Sequence, residues 1–360
     1  MSNRISARKH YFKTNLKDDP MTKAREQQIH LSETSYYHCV ARCVRRAFLC
    51  GEDTSSGKDY SHRKQWIVDK IKELSGIYAL DVCAYAVMSN HYHIVLHIDV
   101  EAAESWSDEI VIERWLQLFK GNMLIDRFQR GEIKSKAELN VVAEIIATWR
   151  SRLMDISWFM RCLNEAIARE ANKEDNCKGR FWEGRFKSQA LLDETALLTC
   201  MMYVDLNPIR AGINNSLKGS DFTSIQDRLF DFAQRKNNNA KNDVITDNNK
   251  TNCELLCFKG DESLANDAQK GLPFSLQDYF ELIDWTGRVI RDDKKGAIPA
   301  GVLPILRKLG VNEKEWVGNV NHFGRRFYHV VGAVEMMRQY SDKIGQWWMQ
   351  GMGCSRKLYV

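Results

Sequence analysis

Two histidines two positions apart carry the clearest chemistry in this chain. His91 and His93 directly precede an apolar run, Ile94-Val95-Leu96, that is typical of a buried central strand. Side chains two positions apart on a strand leave the same face, so the two imidazoles form a compact platform for a divalent metal. His97 has the same parity but lies roughly 13 Å beyond His93, at about 3.3 Å per residue. Simple hydrogen bonding of two strand histidines is the alternative interpretation.

A tyrosine on a predicted helix is the second candidate. Tyr203 and Asn207 are four positions apart, so on a helix they share a face. A phenol with an ordinary pKa of about 10 is a weak nucleophile, and a nearby metal would stabilise the phenolate and polarise a phosphate. An amide oxygen is a suitable further ligand for a hard cation. Pro208 disfavours helical geometry at Asn207, so a plain helix end followed by a turn is the alternative.

The composition permits a nucleic-acid partner without requiring one. The chain has 360 residues and a formal net charge of +5, from 52 basic and 47 acidic residues. The N-terminus is polar and basic, and no run of about 18 apolar residues occurs, so we expect neither a signal peptide nor a membrane span. Ten cysteines without a Cys-x-x-Cys spacing argue against a zinc finger and favour reduced thiols in a cytoplasmic protein.

Hydrophobic periodicity predicts a mixed succession of strands and helices. Strands are expected at residues 36–44, 78–88, 91–98 and 186–192, and helices at 63–74, 108–130, 157–171 and after Asp193, a suitable N-cap. This β-α-β-β-α-β-α order predicts an α+β protein with a ferredoxin-like split βαβ unit, an antiparallel sheet with helices. That fold hosts many activities, so function must be argued from the site.

Composition shifts divide the chain into four parts. Residues 1–30 are expected to form a basic flexible arm, and 31–233 a catalytic domain with a helical insertion at about 131–156. Residues 234–270 include an Asn/Lys/Asp-rich stretch nearly free of large apolar side chains, which predicts a polar linker. Apolar periodicity then resumes, so 271–360 are expected to form a smaller, mainly helical accessory domain.

Several basic residues lie close to aromatic ones, a combination that suits a phosphate backbone with splayed bases. Such residues surround the pair Phe181-Trp182, and others cluster at the end of the predicted first strand or lie in an aromatic cluster at 316–329. Solvated charged faces over an aromatic core are the alternative, which we favour for most of the C-terminal aromatics. The candidate phosphate contacts are Arg42, Arg45, Arg46, Arg180, Arg185, Lys187, Arg210, Arg325 and Arg326.

The two chemical segments together resemble a known group of enzymes. Residues 87–96 (VMSNHYHIVL) resemble the HUH motif of single-tyrosine transposases. Residues 181–186 (FWEGRF) and 203–212 (YVDLNPIRAG) resemble the branch called REP-associated tyrosine transposases. The resemblance covers about residues 33–230, and the extension after about 230 has no counterpart in the short members of the family.

The resemblance implies a metal-dependent enzyme that cuts and rejoins single-stranded DNA, often beside a hairpin, through a 5′-phosphotyrosine intermediate. By motif match Tyr203 is the nucleophile, His91 and His93 are metal ligands, and Asn207 is a further ligand to Mg²⁺ or Mn²⁺. The expected location is the cytoplasm, at the nucleoid, and a monomer and a homodimer both stay open. The alternatives are a non-catalytic nucleic-acid-binding protein on the same fold and a metal-dependent phosphodiesterase that uses water.

Overall fold

The computed structural model describes residues 29–44, 50–51, 57–240, 255–259, 270–291 and 301–359. Nearly all of the predicted basic arm lies outside these residues, as do Arg45 and Arg46. In the part of the chain that is described, no helix is both long and apolar enough to cross a membrane.

The described chain is an α+β structure with one mixed sheet. Its strands are β1 (Tyr36–Arg42), β2 (Leu80–Val87), β3 (His91–Ile98), β4 (Lys187–Leu191) and β5 (Val330–Val331). Its helices up to the tyrosine segment are α1 (Arg63–Ile77), α2 (Val100–Ser105), α3 (Asp108–Leu118), α4 (Met123–Gln129), α5 (Lys136–Leu153), α6 (Ile156–Glu174) and α7 (Glu194–Asp205). The later helices are α8 (Asn207–Arg210), α9 (Ser224–Ala240), α10 (Leu276–Ile290), α11 (Val302–Lys308), α12 (Glu313–Arg326), α13 (Val334–Lys343) and α14 (Met352–Leu358).

The strand order is β2-β3-β1-β4-β5, antiparallel except for the parallel pair β4–β5. The β1–β3 register pairs Val40 with His93 and Arg42 with His91. The β1–β4 register pairs His38 with Gln189. Because side chains alternate between the faces of a strand, these polar residues all emerge on one face of the sheet.

Each face of the sheet is buried against helices. On one face, Tyr92, Ile94 and Leu96 of β3 belong to a core that also contains apolar residues of α1, α3, α5 and α6. On the other face, Val95 of β3 belongs to a second core with α7, α10 and α12. Helices α10, α11, α12 and α14 therefore share a core with the histidine-bearing face of the sheet, whereas Met337 and Tyr340 of α13 belong to the core on the other face.

The structure differs from the prediction at residues 108–130 and in the predicted linker at 234–270. The region 108–130 holds two helices, and the Asn122 side chain caps the second by accepting a bond from Ile125 N. Helix α9 runs to Ala240, inside the predicted linker. Further along that linker, Leu255 and Leu256 are buried, and Leu256 N donates to Val82 O of β2, 2.8 Å away. Apolar residues within a polar stretch are enough to attach the chain to a sheet edge.

A buried carboxylate fixes the end of α7 to its neighbours. Asp205 Oδ1 accepts bonds from Ser224 Oγ at 2.5 Å and Ile225 N at 3.0 Å, and its Oδ2 accepts a bond from Tyr279 Oη at 2.5 Å. These partners belong to α9 and α10. Desolvation by burial, which outweighs these hydrogen bonds, raises the pKa of Asp205 to about 6.

The substitution Asp205→Asn is expected to change how stability depends on pH. An unfolded aspartate titrates near pH 3.9, so from about pH 4 to pH 6 the folded chain binds more protons, and the contribution of Asp205 to stability falls as pH rises. The free energy of unfolding of the native protein, relative to Asp205→Asn, should fall by about 3 kcal/mol over this window. Urea denaturation of both proteins between pH 4 and pH 7 measures the difference. A constant difference would contradict a raised pKa.

Candidate active site

Three histidines and a glutamine meet on the face of the sheet that α7 covers. Nε2 of His38 lies 2.9 Å from Nδ1 of His93, and the two rings are stacked with centroids 5.1 Å apart. Nδ1 of His38 lies 3.0 Å from Oε1 of Gln189. The rings of His91 and His93 approach edge to face, with centroids 4.9 Å apart. Strands β1, β3 and β4 each supply part of this cluster.

His91 lies at the exposed end of the cluster. Its Nδ1 is 2.5 Å from Oδ1 of Asn90, the residue in the turn before β3. Since an amide oxygen only accepts, Nδ1 donates and the lone pair of His91 is on Nε2. Burial, and then the positive charges of Arg42 and Arg210, lower the pKa of His91 to about 4. The ring is therefore neutral near pH 7, the form that binds metal.

His93 lies deeper and keeps one nitrogen free. Burial, followed by the proximity of His38 and His91, lowers the pKa of His93 well below its ordinary value. Its Nε2 is buried and has no hydrogen-bond partner among the described residues. A buried nitrogen without a partner is costly unless a ligand completes it.

Helix α7 brings Tyr203 against this cluster. The Tyr203 ring stands edge to face with His93, with centroids 5.4 Å apart, and with His38, with centroids 6.0 Å apart. The helix begins at Asp193, whose Oδ1 accepts a bond from Ala196 N at 2.7 Å, as the sequence predicts. The half-buried tyrosine therefore lies beside the His-bearing strand, although more than 100 positions separate them in the sequence.

Arg210 and Asn207 form the other side of the tyrosine. The guanidinium carbon of Arg210 lies 4.0 Å from the centre of the Tyr203 ring. Its Nη2 donates to Asn207 Oδ1 at 3.0 Å, and its Nη1 donates to Asn321 O at 3.1 Å. Burial lowers the pKa of Arg210. A guanidinium in this place is suited to a phosphate that approaches the phenol oxygen.

Tyr203 and Asn207 do not lie on one continuous helix. Helix α7 ends at Asp205, and α8 begins at Asn207 with Pro208 in its first turn. Pro208 has no N–H to continue the hydrogen bonds of α7, so a helix end before it is expected, but Asn207 is itself helical, which a following proline disfavours. The Asn207 oxygen is bound by Arg210, and Nδ2 is buried without a hydrogen-bond partner among the described residues. Its role as a metal ligand stays a prediction.

The residues present fit a divalent cation with two imidazole ligands. His91 and His93 each have Nδ1 hydrogen-bonded to a neighbour, and the buried Nε2 of His93 has no hydrogen-bond partner in the described part of the chain. Hydrogen-bonded Nδ1 atoms are usual for metal-binding histidines. Among the described residues, no group of three or more His, Cys, Asp or Glu side chains is placed to hold a metal. The remaining ligands would therefore be amide, phosphate or water oxygens, which Mg²⁺ and Mn²⁺ accept.

Helix α12 of the C-terminal region covers the tyrosine. The fully buried Phe323 lies 5.2 Å from Tyr203, centroid to centroid. A Cβ added at Gly324 would lie 2.8 Å from Tyr203 Oη. Glycine at this position therefore makes room for the phenol hydroxyl.

The effect of Gly324→Ala on the free energy of unfolding is expected to depend on whether the Tyr203 hydroxyl is present. Alanine favours a helix over glycine by about 1 kcal/mol, whereas overpacking costs about 1–3 kcal/mol. Gly324→Ala should therefore destabilise the native protein or leave it unchanged, but stabilise the Tyr203→Phe variant. Urea denaturation of the four proteins measures this coupling. The matched control is Gly353→Ala, where an added Cβ meets no described atom within 4 Å; equal effects at both glycines would contradict the contact.

The candidate phosphate contacts fall into two groups. Exposed side chains belong to Arg42, Arg180, Arg185, Lys187 and Arg325. Arg210 lies inside the site, and the half-buried Arg326 lies 3.7 Å from Glu315 of its own helix. The aromatic residues near the exposed group belong to the core and are not available for stacking on bases. Phe181 and Trp182 are buried, and Trp182 Nε1 donates to Asn164 O at 2.8 Å.

Two residues of the cluster were missed from the sequence. His38 and Gln189 lie on strands that were predicted, but neither belongs to a motif. The available signal was parity combined with strand order. In a split βαβ sheet the first strand is next to the third, so alternate residues of the first strand face the same side as His91 and His93.

No protein-family model matches the chain, and no curated protein matches it. Among solved structures, a REP-associated tyrosine transposase bound to a REP hairpin is similar over 53% of this chain and 77% of that chain. The two are 12% identical in sequence, and the TM-score is 0.31. A likeness of this extent leaves the assignment of function to the residues of the site.

Proposed function

We propose that this chain cuts and rejoins single-stranded DNA through a covalent bond to Tyr203. The observation that carries the proposal is the contact of Tyr203 with His93, whose Nε2 is buried and free among the described residues. Tyr203 contacts His93, His93 contacts His91, and the Arg210 guanidinium lies over the Tyr203 ring; a phosphate diester would be bound and attacked beside these groups.

The sheet supports the ferredoxin-like part of the proposal. Strand β3 lies between β1 and β2, and β1 lies between β3 and β4. Each β-α-β unit is thus split by a strand of the other, and this interleaving supports a split βαβ unit. The parallel pair β4–β5 is an addition from the C-terminal region.

In the proposed reaction, the Tyr203 oxygen attacks phosphorus and the bond from phosphorus to the 3′ oxygen breaks. The phenol proton leaves to solvent, and the departing oxygen gains a proton as the free 3′-OH. A later attack by a 3′-OH on the 5′-phosphotyrosine rejoins the strand and releases the tyrosine. Mg²⁺ or Mn²⁺ at His91 and His93, with Asn207 as a candidate further ligand, would supply charge stabilisation at the phosphate.

The chain's own residues have separate tasks in this scheme. Arg210 holds the phosphate beside the phenol and offsets the negative charge that develops there. Arg42 is the last residue of β1 and pairs with His91 at the exposed end of the cluster. With Arg180, Arg185 and Lys187 it supplies positive charge for single-stranded DNA that leaves a hairpin.

A denaturing gel tests the proposal. The protein is incubated with Mn²⁺ or Mg²⁺ and labelled single-stranded DNA that contains a hairpin from beside its own gene. We expect a metal-dependent band in which the label migrates with the protein. Cleavage without such a band would replace the proposal with hydrolysis by water. Binding without cleavage, across several hairpins, would replace it with a non-catalytic DNA-binding role.

A further inference from the structure

His38 and Gln189 form a buried hydrogen-bonded chain that ends on His93. His38 is 4% exposed and Gln189 is 6% exposed. His38 uses one ring nitrogen on Gln189 Oε1, at 3.0 Å, and the other on His93 Nδ1, at 2.9 Å. With both ring nitrogens occupied, His38 is placed to orient a ligand and not to be one.

We propose that Gln189, acting through His38, fixes the tautomer of His93 so that its Nε2 lone pair is free for a divalent metal. The proposal rests on the metal site of the proposed function. It assigns His38 and Gln189 as positioning residues: His38 on β1, the strand next to the metal-binding strand β3, and Gln189 on β4, the strand on the far side of β1.

The direction of the hydrogen bonds from Gln189 to His93 follows from which atoms can donate and which can only accept. An amide oxygen only accepts, so the Gln189 oxygen requires the proton of His38 on Nδ1. A neutral imidazole with Nδ1–H has a bare Nε2, which then accepts from Nδ1–H of His93. His93 in that form has no proton on Nε2, the buried nitrogen that has no partner among the described residues.

The opposite direction would disable the site. If a donor stood in place of the Gln189 oxygen, His38 would carry its proton on Nε2 and donate to His93 Nδ1. His93 would then be protonated on Nε2, and that nitrogen could not bind a cation until the proton moved. The identity of one amide atom, two hydrogen bonds away, therefore decides whether His93 is ready for metal.

Substitutions at Gln189 test this control through metal affinity alone. Gln189→Met keeps the length of the side chain but removes the acceptor, whereas Gln189→Glu keeps an acceptor. Without DNA, we expect Gln189→Met to weaken Mn²⁺ binding about 10- to 100-fold and Gln189→Glu to restore it. Ser188→Ala, on the opposite face of the same strand, is the control and should bind as the native protein does. Isothermal titration calorimetry measures the affinities.

The tautomer itself is measured by NMR of protein labelled with ¹⁵N-histidine, with the His93 signals assigned from their loss in His93→Gln. In the metal-free native protein, His93 and His38 should both carry their protons on Nδ1. In Gln189→Met, an Nε2–H form of His93 should appear. If Gln189 had a purely structural role, Gln189→Met would leave the tautomers of His38 and His93 as they are in the native protein.

Two results would overturn the inference: an Nε2–H form of His93 in the native protein, or native Mn²⁺ affinity in Gln189→Met. Failure of the proposed function gives a different pattern. If Mn²⁺ binding depends on Gln189 but DNA is never joined to Tyr203, the control of His93 stands and the strand-transfer activity is wrong.

Discussion

Tyr203→Phe is expected to abolish the covalent protein–DNA band, because it removes the attacking oxygen and nothing else. Loss of a nucleophile costs on the order of 10⁴- to 10⁶-fold in rate in well-studied enzymes. The ring contacts with His93 and Phe323 are retained, so the free energy of unfolding should change by less than about 1 kcal/mol. The gel measures the adduct, and an electrophoretic shift measures DNA affinity, which should stay within about threefold of the native value.

Tyr328→Phe is the matched control for the nucleophile. The Tyr328 side chain is 52% exposed and is not in contact with the histidine cluster, so an accessible but unassisted phenol is tested beside an assisted one. The adduct should persist in Tyr328→Phe. An adduct that survives Tyr203→Phe and disappears in Tyr328→Phe would place the nucleophile elsewhere and contradict the site.

His91→Ala is expected to eliminate cleavage by removing one of the two imidazole ligands. With a single histidine left on the strand, Mn²⁺ affinity should fall by more than about 100-fold, beyond the loss typical of an outer-sphere group. Binding of DNA in the absence of metal should persist, because Arg42 and Arg210 are unchanged. Calorimetry with Mn²⁺ and the covalent-adduct gel measure the two effects separately.

His97→Ala provides the control on the same strand and the same face. His97 Nδ1 lies 2.9 Å from Asp81 Oδ2, at the far end of β3 from His91. Its loss removes a hydrogen bond to Asp81 and an aromatic contact with Tyr36 but no metal ligand. Native Mn²⁺ affinity is expected in His97→Ala. If both variants lose Mn²⁺ binding equally, the effect is one of strand stability and not of coordination.

The elements that carry the site were predictable where local signals are strong. Strand β3 was predicted as His91–Ile98, the bounds it has in the structure, because the Ser89-Asn90 turn precedes an apolar run. The Asp193 cap and the helix break before Pro208 likewise depend on chemistry within a few residues. The closeness of Tyr203 to His93 needed one more assumption, that the helix after the last strand packs across the sheet.

What could not be predicted depends on pairing between distant segments. His38 meets His93 only because β1 and β3 pair in one register, and a shift by one residue would move His38 to the opposite face. The packing of α12 on Tyr203 likewise joins segments that are far apart in the sequence and could not be predicted from either one alone. Its apolar residues predicted a helical core, but periodicity does not say whether that core is separate or shared.

The shared core also limits how the gene for this chain can change. Trp316, Val320 and Phe323 of α12 are completely buried in the core that contains α7. A premature stop codon after the catalytic segment would leave that face of α7 in water. We expect the shortened product to aggregate or be degraded, instead of persisting as a free nuclease. In a cell, Tyr203 would therefore reach its folded surroundings only after the last helices have been translated and have packed beside it.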